Sequence, residues 1–203
     1  MLAIIQARTN SKRFPKKVLH LIKGRPLIQH VIERVKKSKR VTDIIVATSK
    51  NKSDNNLVSF LKKNKTKHFR GSLANVASRF LQIAKKKNKK YFIRISGDSP
   101  LIWPKIINRA IKLHKKNPKY DLITNIFPRS FPHGQSVEII KTSILENNIK
   151  KMNKFELEHV TQFFYRNCLE FLIKNFLSTG KNDSIKLAVD TRRDLKNILK
   201  IIK

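Results

Sequence analysis

The chain of 203 residues is 40% hydrophobic, which suits one packed globular domain over residues 1–203 and argues against a disordered chain. Its single cysteine excludes an intrachain disulfide and a zinc site built on cysteine pairs. The 46 Lys and Arg residues against 13 Asp and Glu give a net charge of +33, which favours polyanionic partners such as nucleotides, acidic lipids or nucleic acid.

The lysines occur in short runs on predicted helix faces, such as Lys62-Lys63 and Lys85-Lys86-Lys87. Nucleic-acid-binding modules interleave aromatic side chains with their basic residues, and these runs contain none. Solvated helix faces are therefore favoured, and nucleic-acid binding is the weaker alternative. The sequence has no stretch near the roughly 20 apolar residues of a membrane span, and its opening apolar run is too short for a signal peptide. We expect a cytoplasmic protein without a membrane partner.

In chain order, short apolar runs alternate with segments of helical periodicity. The apolar runs predict strands at residues 2–7, 44–48, 91–95, 120–124, 137–140 and 185–189. The periodic segments predict helices at residues 26–38, 54–65, 75–87, 104–116, 154–166 and 192–202. Pro26 and Pro104 stand where first-turn prolines belong, and Asp54 and Asn75 are candidate N-caps. The alternation predicts βαβ units and an α/β fold with a mostly parallel (mixed) sheet flanked by helices.

Anion-binding side chains cluster directly after the first predicted strand. Arg8, Ser11, Arg13 and Lys17 follow its end closely, and ligands collect at the carboxyl ends of parallel strands. The glycines of a Walker loop are missing from this segment. The segment therefore predicts a phosphate-binding loop of a different type.

Two aspartates also follow predicted strands. Asp98 comes after the turn Ser96-Gly97, and Asp190 comes after residues 185–189. Each alone is readily explained as a turn or helix cap, with Asp194 then outside a capping box. Together they are a candidate Mg²⁺ pair, because Mg²⁺ usually takes one or two carboxylates and binds substrate phosphates as well.

These positions belong to a series of motifs in a fixed order. The first and most specific is Gln-Ala-Arg-x-x-Ser-x-Arg-x-Pro-x-Lys-x-Leu at residues 6–19. The others are Gly-Arg-Pro-Leu at 24–27, Ile-Ile-Val-Ala-Thr at 44–48, Phe-Arg-Gly-Ser at 69–72, Arg-Ile-Ser-Gly-Asp-Ser-Pro-Leu-Ile at 94–102, Glu-His-Val-Thr at 158–161 and Val-Asp-Thr at 189–191. The set spans nearly the whole chain. It resembles the acylneuraminate cytidylyltransferases and their relatives named after a spore-coat polysaccharide biosynthesis protein.

The resemblance implies a nucleotide-diphospho-sugar transferase (Rossmann-like) fold. It also implies transfer of CMP from CTP to a sugar acid of the nonulosonic type, with release of pyrophosphate, for surface polysaccharide biosynthesis. The implied cofactor is Mg²⁺, held by Asp98 and Asp190, and the implied catalytic residues are Arg8 and Lys17. Relatives often form dimers, so we expect a homodimer.

The resemblance carries over to further binding positions. The implied nucleotide-binding residues are Ala7, Arg8, Ser11, Arg13, Lys17, Arg70, Gly71, Ser72, Asn75, Gly97 and Asp98. The implied contacts to the sugar acid are Arg129, His133, Gln135 and Glu138.

The chain departs from the family pattern at two positions. Ser136 stands two residues before Glu138, where relatives commonly have Asp, and a serine supplies no charge to a metal ion and is a poor proton acceptor. Lys16 stands where relatives often have Gly, and it adds positive charge beside the predicted phosphate site. Ser136 therefore leaves two alternatives open: the acceptor differs from that of the family, or the activity is weakened.

Two questions stay open from the sequence. A metal-bound nucleophile, His133 and His159 are all candidates for removing the proton of the acceptor hydroxyl. The same fold could also serve a sugar 1-phosphate with a nucleotide other than CTP, and this is the alternative reaction.

Overall fold

The centre of the fold is a mixed β-sheet, seen in a computed structural model that describes residues 1–180 and 182–202. In chain order, the strands are β1 (Leu2–Gln6), β2 (Leu21–Ile22), β3 (Arg25–Pro26), β4 (Asp43–Ser49), β5 (His68–Gly71), β6 (Tyr91–Ser96), β7 (Leu122–Thr124), β8 (Glu138–Lys141) and β9 (Ile173–Asn175). The main sheet has the order β5-β4-β1-β6-β8-β7-β9. Strand β8 runs antiparallel to β6 and β7, and the other neighbours are parallel. The predicted mostly parallel sheet is confirmed.

Helices cover both faces of this sheet. They are α1 (Leu27–Lys36), α2 (Asn55–Lys63), α3 (Val76–Lys86), α4 (Pro104–Lys116), α5 (Thr142–Asn148), α6 (Lys154–Glu158), α7 (Thr161–Arg166) and α8 (Arg192–Ile201). Successive side chains of β1 point to opposite faces. Ala3 and Ile5 pack in one core with α1, α2, α4 and α8, whereas Leu2 and Ile4 pack in a second core with α3, α5 and α7. Strand β1 is therefore buried on both sides, as a central parallel strand requires.

Most predicted elements are present, with ends shifted by a few residues. Strands β1, β4, β6, β7 and β8 and helices α1 to α4 and α8 correspond to predicted segments. Pro104 begins α4, and the Asn75 side chain caps α3 by accepting from Ser78 N at 2.7 Å. Strands β5 and β9 and helix α5 were not predicted, because they are short and lack an apolar run. None of the helices that the structure describes has the length and apolar character of a membrane span.

The strand predicted at residues 185–189 is wrong. This segment joins no sheet; it forms one isolated bridge between His133 and Lys186, and Val189 N donates to Asp98 O at 2.9 Å. Its apolar side chains Leu187 and Val189 are buried, which accounts for the strand-like pattern.

Two expectations about the helices near the C-terminus are also wrong. The helix predicted at 154–166 is divided into α6 and α7, because His159 leaves the helical conformation at ψ 61°. Helix α8 is capped by Thr191 rather than by Asp190, and Asp194 completes a capping box that was not expected. Asp190 is therefore not needed as the cap of α8.

Lys16 has the backbone conformation that glycine adopts most easily. Its φ is 56°, in the left-handed region. A residue with a Cβ pays roughly 1–2 kcal/mol there, whereas glycine does not. This explains why a glycine suits the position, and the lysine side chain does not contribute to the cleft described below.

We expect Lys16→Gly to raise the free energy of unfolding by about 0.5–1 kcal/mol, since relief of left-handed strain exceeds the added entropy of the unfolded chain. Urea denaturation followed by circular dichroism measures this change. Lys12→Gly in the same loop is the control, because Lys12 has no positive φ. It should lower stability, and an equal gain from both variants would contradict the explanation.

Candidate active site

Asp54 fixes the loop that follows β1. Its buried carboxylate accepts hydrogen bonds from Thr9 N (2.7 Å), Thr9 Oγ1 (2.8 Å), Ser49 N (3.1 Å) and the Ser49 hydroxyl. Burial acts to raise the pKa of Asp54, but these donors outweigh it, and the pKa lies below its usual value. Asp54 stands at the predicted N-cap position of α2, but its side chain makes no capping hydrogen bond there. It ties the loop to the end of β4 instead.

The same threonine organises the rest of the loop. Thr9 O accepts hydrogen bonds from Ser11 N at 3.0 Å and from Lys16 N at 2.8 Å. Phe14 is buried and packs against His20, so the loop has a small core of its own. The basic side chains of residues 8–17 are therefore presented by a braced backbone rather than by a loose loop.

Gly97 lets the ends of β1 and β6 meet. Gly97 N donates to Gln6 O at 2.8 Å. A Cβ at this position would lie 2.6 Å from Gln6 O and 2.9 Å from the Cβ of Ala7, closer than folded chains tolerate. The glycine thus brings Asp98 beside the loop that begins at Arg8.

A cleft of about 530 Å³ opens where these two strands end. It is lined by most of the residues predicted to bind nucleotide or metal, namely Ala7, Arg8, Ser11, Arg13, Lys17, Gly97, Asp98 and Asp190. The cleft is also lined by residues for which no binding role was predicted, among them Gln6, Asn10, Lys12, Val76, Arg79 and Glu158. The arrangement is a cationic cleft with three carboxylates in its wall, those of Asp98, Glu158 and Asp190.

Lys17 joins the carboxylates of Asp98 and Asp190. Its Nζ lies 2.9 Å from Asp98 Oδ2, 3.2 Å from Asp190 Oδ1 and 2.9 Å from Val189 O. Arg13 Nη2 also lies 3.1 Å from Asp190 Oδ1. Burial acts to raise the pKa of Asp190, but the charges of Lys17, Arg13 and Lys186 outweigh it, so the pKa lies below its ordinary value. Asp190 is therefore a carboxylate at neutral pH.

Arg8 is held by a residue from a distant part of the chain. Its Nη2 lies 2.6 Å from Glu158 Oε1, at the end of α6. Both side chains are about one-third exposed, so the pair contributes little to stability. Its effect is to aim the guanidinium across the cleft. The motif Glu-His-Val-Thr at 158–161 was the sequence signal for Glu158.

A second cavity of about 320 Å³ adjoins the first. Ser96, Asp98, His159 and Asp190 line both cavities. The second cavity is also lined by Arg94, Arg129, His133, Ser136 and Glu138, which include three of the four residues predicted to contact a sugar. The two carboxylates and His159 therefore stand at the junction between two binding spaces.

Glu138 is the buried centre of a polar network in the second cavity. It accepts a hydrogen bond from Tyr165 Oη at 2.5 Å and forms an ion pair with Arg94. Burial, strengthened by Glu138, raises the pKa of Tyr165 well above its usual value, so the phenol remains a neutral donor. Ser136 accepts from Arg129 Nη2 at 3.2 Å. Serine at this position therefore leaves Arg129 with a neutral partner where an Asp would supply a charge.

Five predicted binding residues do not line either cavity. Arg70 donates to Ser49 O, Asn51 O and Asn55 Oδ1, and it braces the segment before α2. Gly71 ends β5, and Ser72 and Asn75 lie between β5 and α3. Gln135 is fully buried, where it binds Leu101 O and Trp103 N. Their proposed ligand contacts stay predictions.

The comparison with known families decides what this site belongs to. A sequence profile described as cytidylyltransferase matches residues 2–201. This chain belongs to the cytidylyltransferase family. It is accordingly a CTP-dependent nucleotidyltransferase with the nucleotide-diphospho-sugar transferase fold.

Individual relatives agree with this membership. The cytidylyltransferase is 28% identical to the spore coat polysaccharide biosynthesis protein SpsF of Bacillus subtilis, over 98% of this chain and 84% of the relative. It is 32% identical to a 3-deoxy-manno-octulosonate cytidylyltransferase of Bdellovibrio bacteriovorus, over 71% of this chain and 58% of the relative. A solved cytidylyltransferase structure from Leptospira borgpetersenii matches with a TM-score of 0.94 and 29% identity, over 99% and 86% of the two chains.

We expect Asp54→Asn to destabilise the cytidylyltransferase by about 2 kcal/mol at pH 7, because an amide nitrogen replaces one acceptor oxygen and leaves the buried donors of either Thr9 or Ser49 without an acceptor. The folded pKa of Asp54 is depressed, so its contribution is present above the unfolded value of about 4 and is lost as the pH falls further. Urea denaturation at several pH values measures both effects.

Asp43→Asn is the matched control for this prediction, since Asp43 pairs with the exposed Lys67. Its change should stay below about 1 kcal/mol. A loss for Asp54→Asn that is no larger than the control's, or that grows as the pH falls below about 4, would contradict the role of Asp54.

Proposed function

We propose that this enzyme transfers CMP from CTP to the hydroxyl of a sugar acid and releases pyrophosphate, for surface polysaccharide biosynthesis. The observation that carries the proposal is the shared wall of the two cavities. Asp98, Asp190 and His159 separate a cleft rich in phosphate-binding cations from a second polar cavity. A reaction between a nucleotide in one space and an acceptor in the other would take place at this wall.

The two aspartates fit Mg²⁺. Both carry hard oxygen donors, and both reach the same Lys17 ammonium within 3.2 Å, so they converge on one point. The described parts of the chain contain no cluster of three or more possible metal ligands. A pair of carboxylates suits Mg²⁺, which usually shares its shell with water and substrate phosphates. When bound here, Mg²⁺ would polarise the α-phosphate and offset its negative charge.

The residues of the chain supply the rest of the phosphate chemistry. Arg8, Arg13 and Lys17 would bind the triphosphate oxygens and stabilise the charge that develops on the leaving pyrophosphate. The acceptor oxygen forms its bond to the α-phosphorus while the bond to the bridging oxygen of the β-phosphate breaks. Lys17 leaves its carboxylate partners as it turns toward the phosphates.

The acceptor cavity favours an anionic sugar. Arg129 lines it and, among the described residues, has no carboxylate within ion-pair distance; its partners are Pro132 O and Ser136 Oγ. A carboxylate on the acceptor would complete this pair, since arginine binds planar carboxylates through two parallel hydrogen bonds. The Bdellovibrio relative is named for 3-deoxy-manno-octulosonate, itself a sugar acid, which supports the same class of acceptor.

His159 is the best-placed group to take the proton from the acceptor. It lines both cavities, whereas His133 lines the second. Burial, aided by the nearby Arg94 and Arg8, lowers the pKa of His159 below its ordinary value, against the opposing charge of Glu158. The imidazole is therefore neutral at pH 7 and able to accept a proton.

The decisive experiment combines a nucleotide panel with an acceptor panel. We expect CTP with Mg²⁺ to raise the melting temperature more than UTP, GTP or ATP, and sugar acids to support pyrophosphate release. Lys17→Met should lower kcat/KM by about 10²–10³-fold, the loss typical of a group that stabilises transition-state charge. The exposed Lys62→Met should leave it unchanged. Pyrophosphate release with sugar 1-phosphates but with no sugar acid would favour the alternative reaction.

A pH profile tests His159. In the wild-type enzyme, kcat should fall as the pH drops through an apparent pKa below 6.5, because protonated imidazole no longer accepts a proton. His159→Gln should lower kcat by about 10²–10⁴-fold and lose this acidic limb. If the variant keeps the limb, another group is the base, and His133→Gln identifies whether it is the second histidine.

A further inference from the structure

Arg79 is a buried arginine in the first turns of α3, and it lines the nucleotide cleft. It is 2% exposed. Nη1 donates one long hydrogen bond of 3.3 Å to Ala47 O, and Nε is buried without a partner. Within residues 1–180 and 182–202, no carboxylate lies within 4 Å of its guanidinium. Most of the five N–H donors of this side chain are therefore unused by the protein.

Burial of this unpaired cation is unfavourable for the folded chain. Burial, aided by the charge of Arg8, lowers the pKa of Arg79 to about 10 against the opposing charges of Asp54 and Glu158. Gly71 makes space for it, because a Cβ there would lie 2.7 Å from Arg79 Cγ. Leaving a buried charged group without hydrogen-bond partners is unfavourable, so the unused donors of Arg79 call for a partner from outside the chain, such as a ligand.

The sheet order indicates which part of a nucleotide meets Arg79. Strand β1 lies between β4 and β6. Asp98 follows β6, whereas Ala47, the partner of Arg79, lies in β4 and also accepts from Ala7 N at 3.1 Å. A nucleotide whose α-phosphate lies beside Asp98 would extend across the end of β1 toward β4. Its nucleoside would then lie beside the apolar Ala7 and Val76 and the guanidinium of Arg79.

The chemistry of the guanidinium suits one pyrimidine better than the other. Cytosine presents two adjacent acceptors, O2 and N3, whereas uracil carries a hydrogen on N3. A guanidinium donates two parallel N–H bonds, as it does to the adjacent O6 and N7 acceptors of guanine. Two acceptors side by side satisfy this donor pair, and the N3–H of uracil opposes it.

We infer that Arg79 determines base specificity by donating hydrogen bonds to O2 and N3 of the cytosine of CTP. The inference rests on the proposed nucleotide orientation in the same cleft. It gives the enzyme a means of rejecting UTP that is separate from the phosphate-binding loop.

Arg79→Met tests the inference through two measurements: the melting temperature should not fall, whereas the affinity for CTP should fall. The free variant should melt at the same or a higher temperature than the wild type, because replacing an unpaired buried charge with an apolar side chain of similar length removes a desolvation penalty. Its affinity for CTP, measured by calorimetry with Mg²⁺, should fall about 10- to 100-fold. Its affinity for UTP should change much less, so the preference for CTP over UTP is lost.

Two further variants complete the design. Arg79→Lys keeps the charge but not the paired donors, and it should also lose the preference for CTP. Arg109→Met removes an exposed arginine that donates to Leu177 O, and it should keep the preference. If Arg79→Met fails to fold, the result for Arg79→Lys decides the question.

Each remaining outcome overturns a definite claim. A lower melting temperature with an unchanged ratio of CTP to UTP affinity would make Arg79 a structural residue. An equal loss of both affinities would show that it does not read the base. A wild type that prefers CTP but releases no pyrophosphate with any sugar acid would overturn the proposed acceptor and leave the role of Arg79 standing.

Discussion

The four hydrogen bonds to the buried carboxylate of Asp54 are the contact on which the site depends. Two come from Thr9 in the loop after β1 and two from Ser49 at the end of β4. These hydrogen bonds join the ends of β1 and β4. Without them, the loop after β1 would have no fixed position and its side chains would not be held in place. Because Thr9 also accepts from Ser11 and Lys16, one ionised group braces the whole phosphate-binding segment.

Several basic side chains of the site are paired with carboxylates before any nucleotide binds. Arg8 pairs with Glu158, and Lys17 pairs with Asp98 and Asp190. This strongly basic chain has 13 acidic residues, and three of them lie in this cleft. Under the proposed function, binding of a metal–nucleotide complex would exchange these partners: Asp98 and Asp190 would hold the cation, and the released basic groups would bind the phosphates. Such an exchange changes the net charge of the cleft little, so it avoids burying an uncompensated charge.

The sequence predicted the parts of the structure that depend on local patterns. The long apolar runs and helical periods identify the central strands, and the motif at residues 6–19 identifies the loop that lines the cleft. Residues 185–189 misled the prediction because buried Leu187 and Val189 pack beneath a loop rather than in a sheet.

What the sequence could not show depends on contacts between distant segments. Arg79 belongs to an ordinary amphipathic helix, and only its burial beside Ala47 reveals an unsatisfied cation. Asp54 occupies a helix-cap position in the sequence, but two of the four hydrogen bonds to its carboxylate come from Thr9, 45 residues away. Local propensity carries no information about either arrangement.

The reversal of β8 has a consequence for how such enzymes can diversify. Parallel strands deliver to the cleft only the residues at which they end, whereas β8 begins at this edge with Glu138, opposite Arg94 of β6. The proposed acceptor cavity is thus lined by the start of β8 and the long segment before it, whereas the proposed nucleotide cleft is lined by residues that follow the ends of strands. Under the proposed function, insertions or substitutions before β8 would reshape the acceptor cavity without changing the register of the strands that lead to the nucleotide cleft, so the sugar could change while the use of the triphosphate stayed constant.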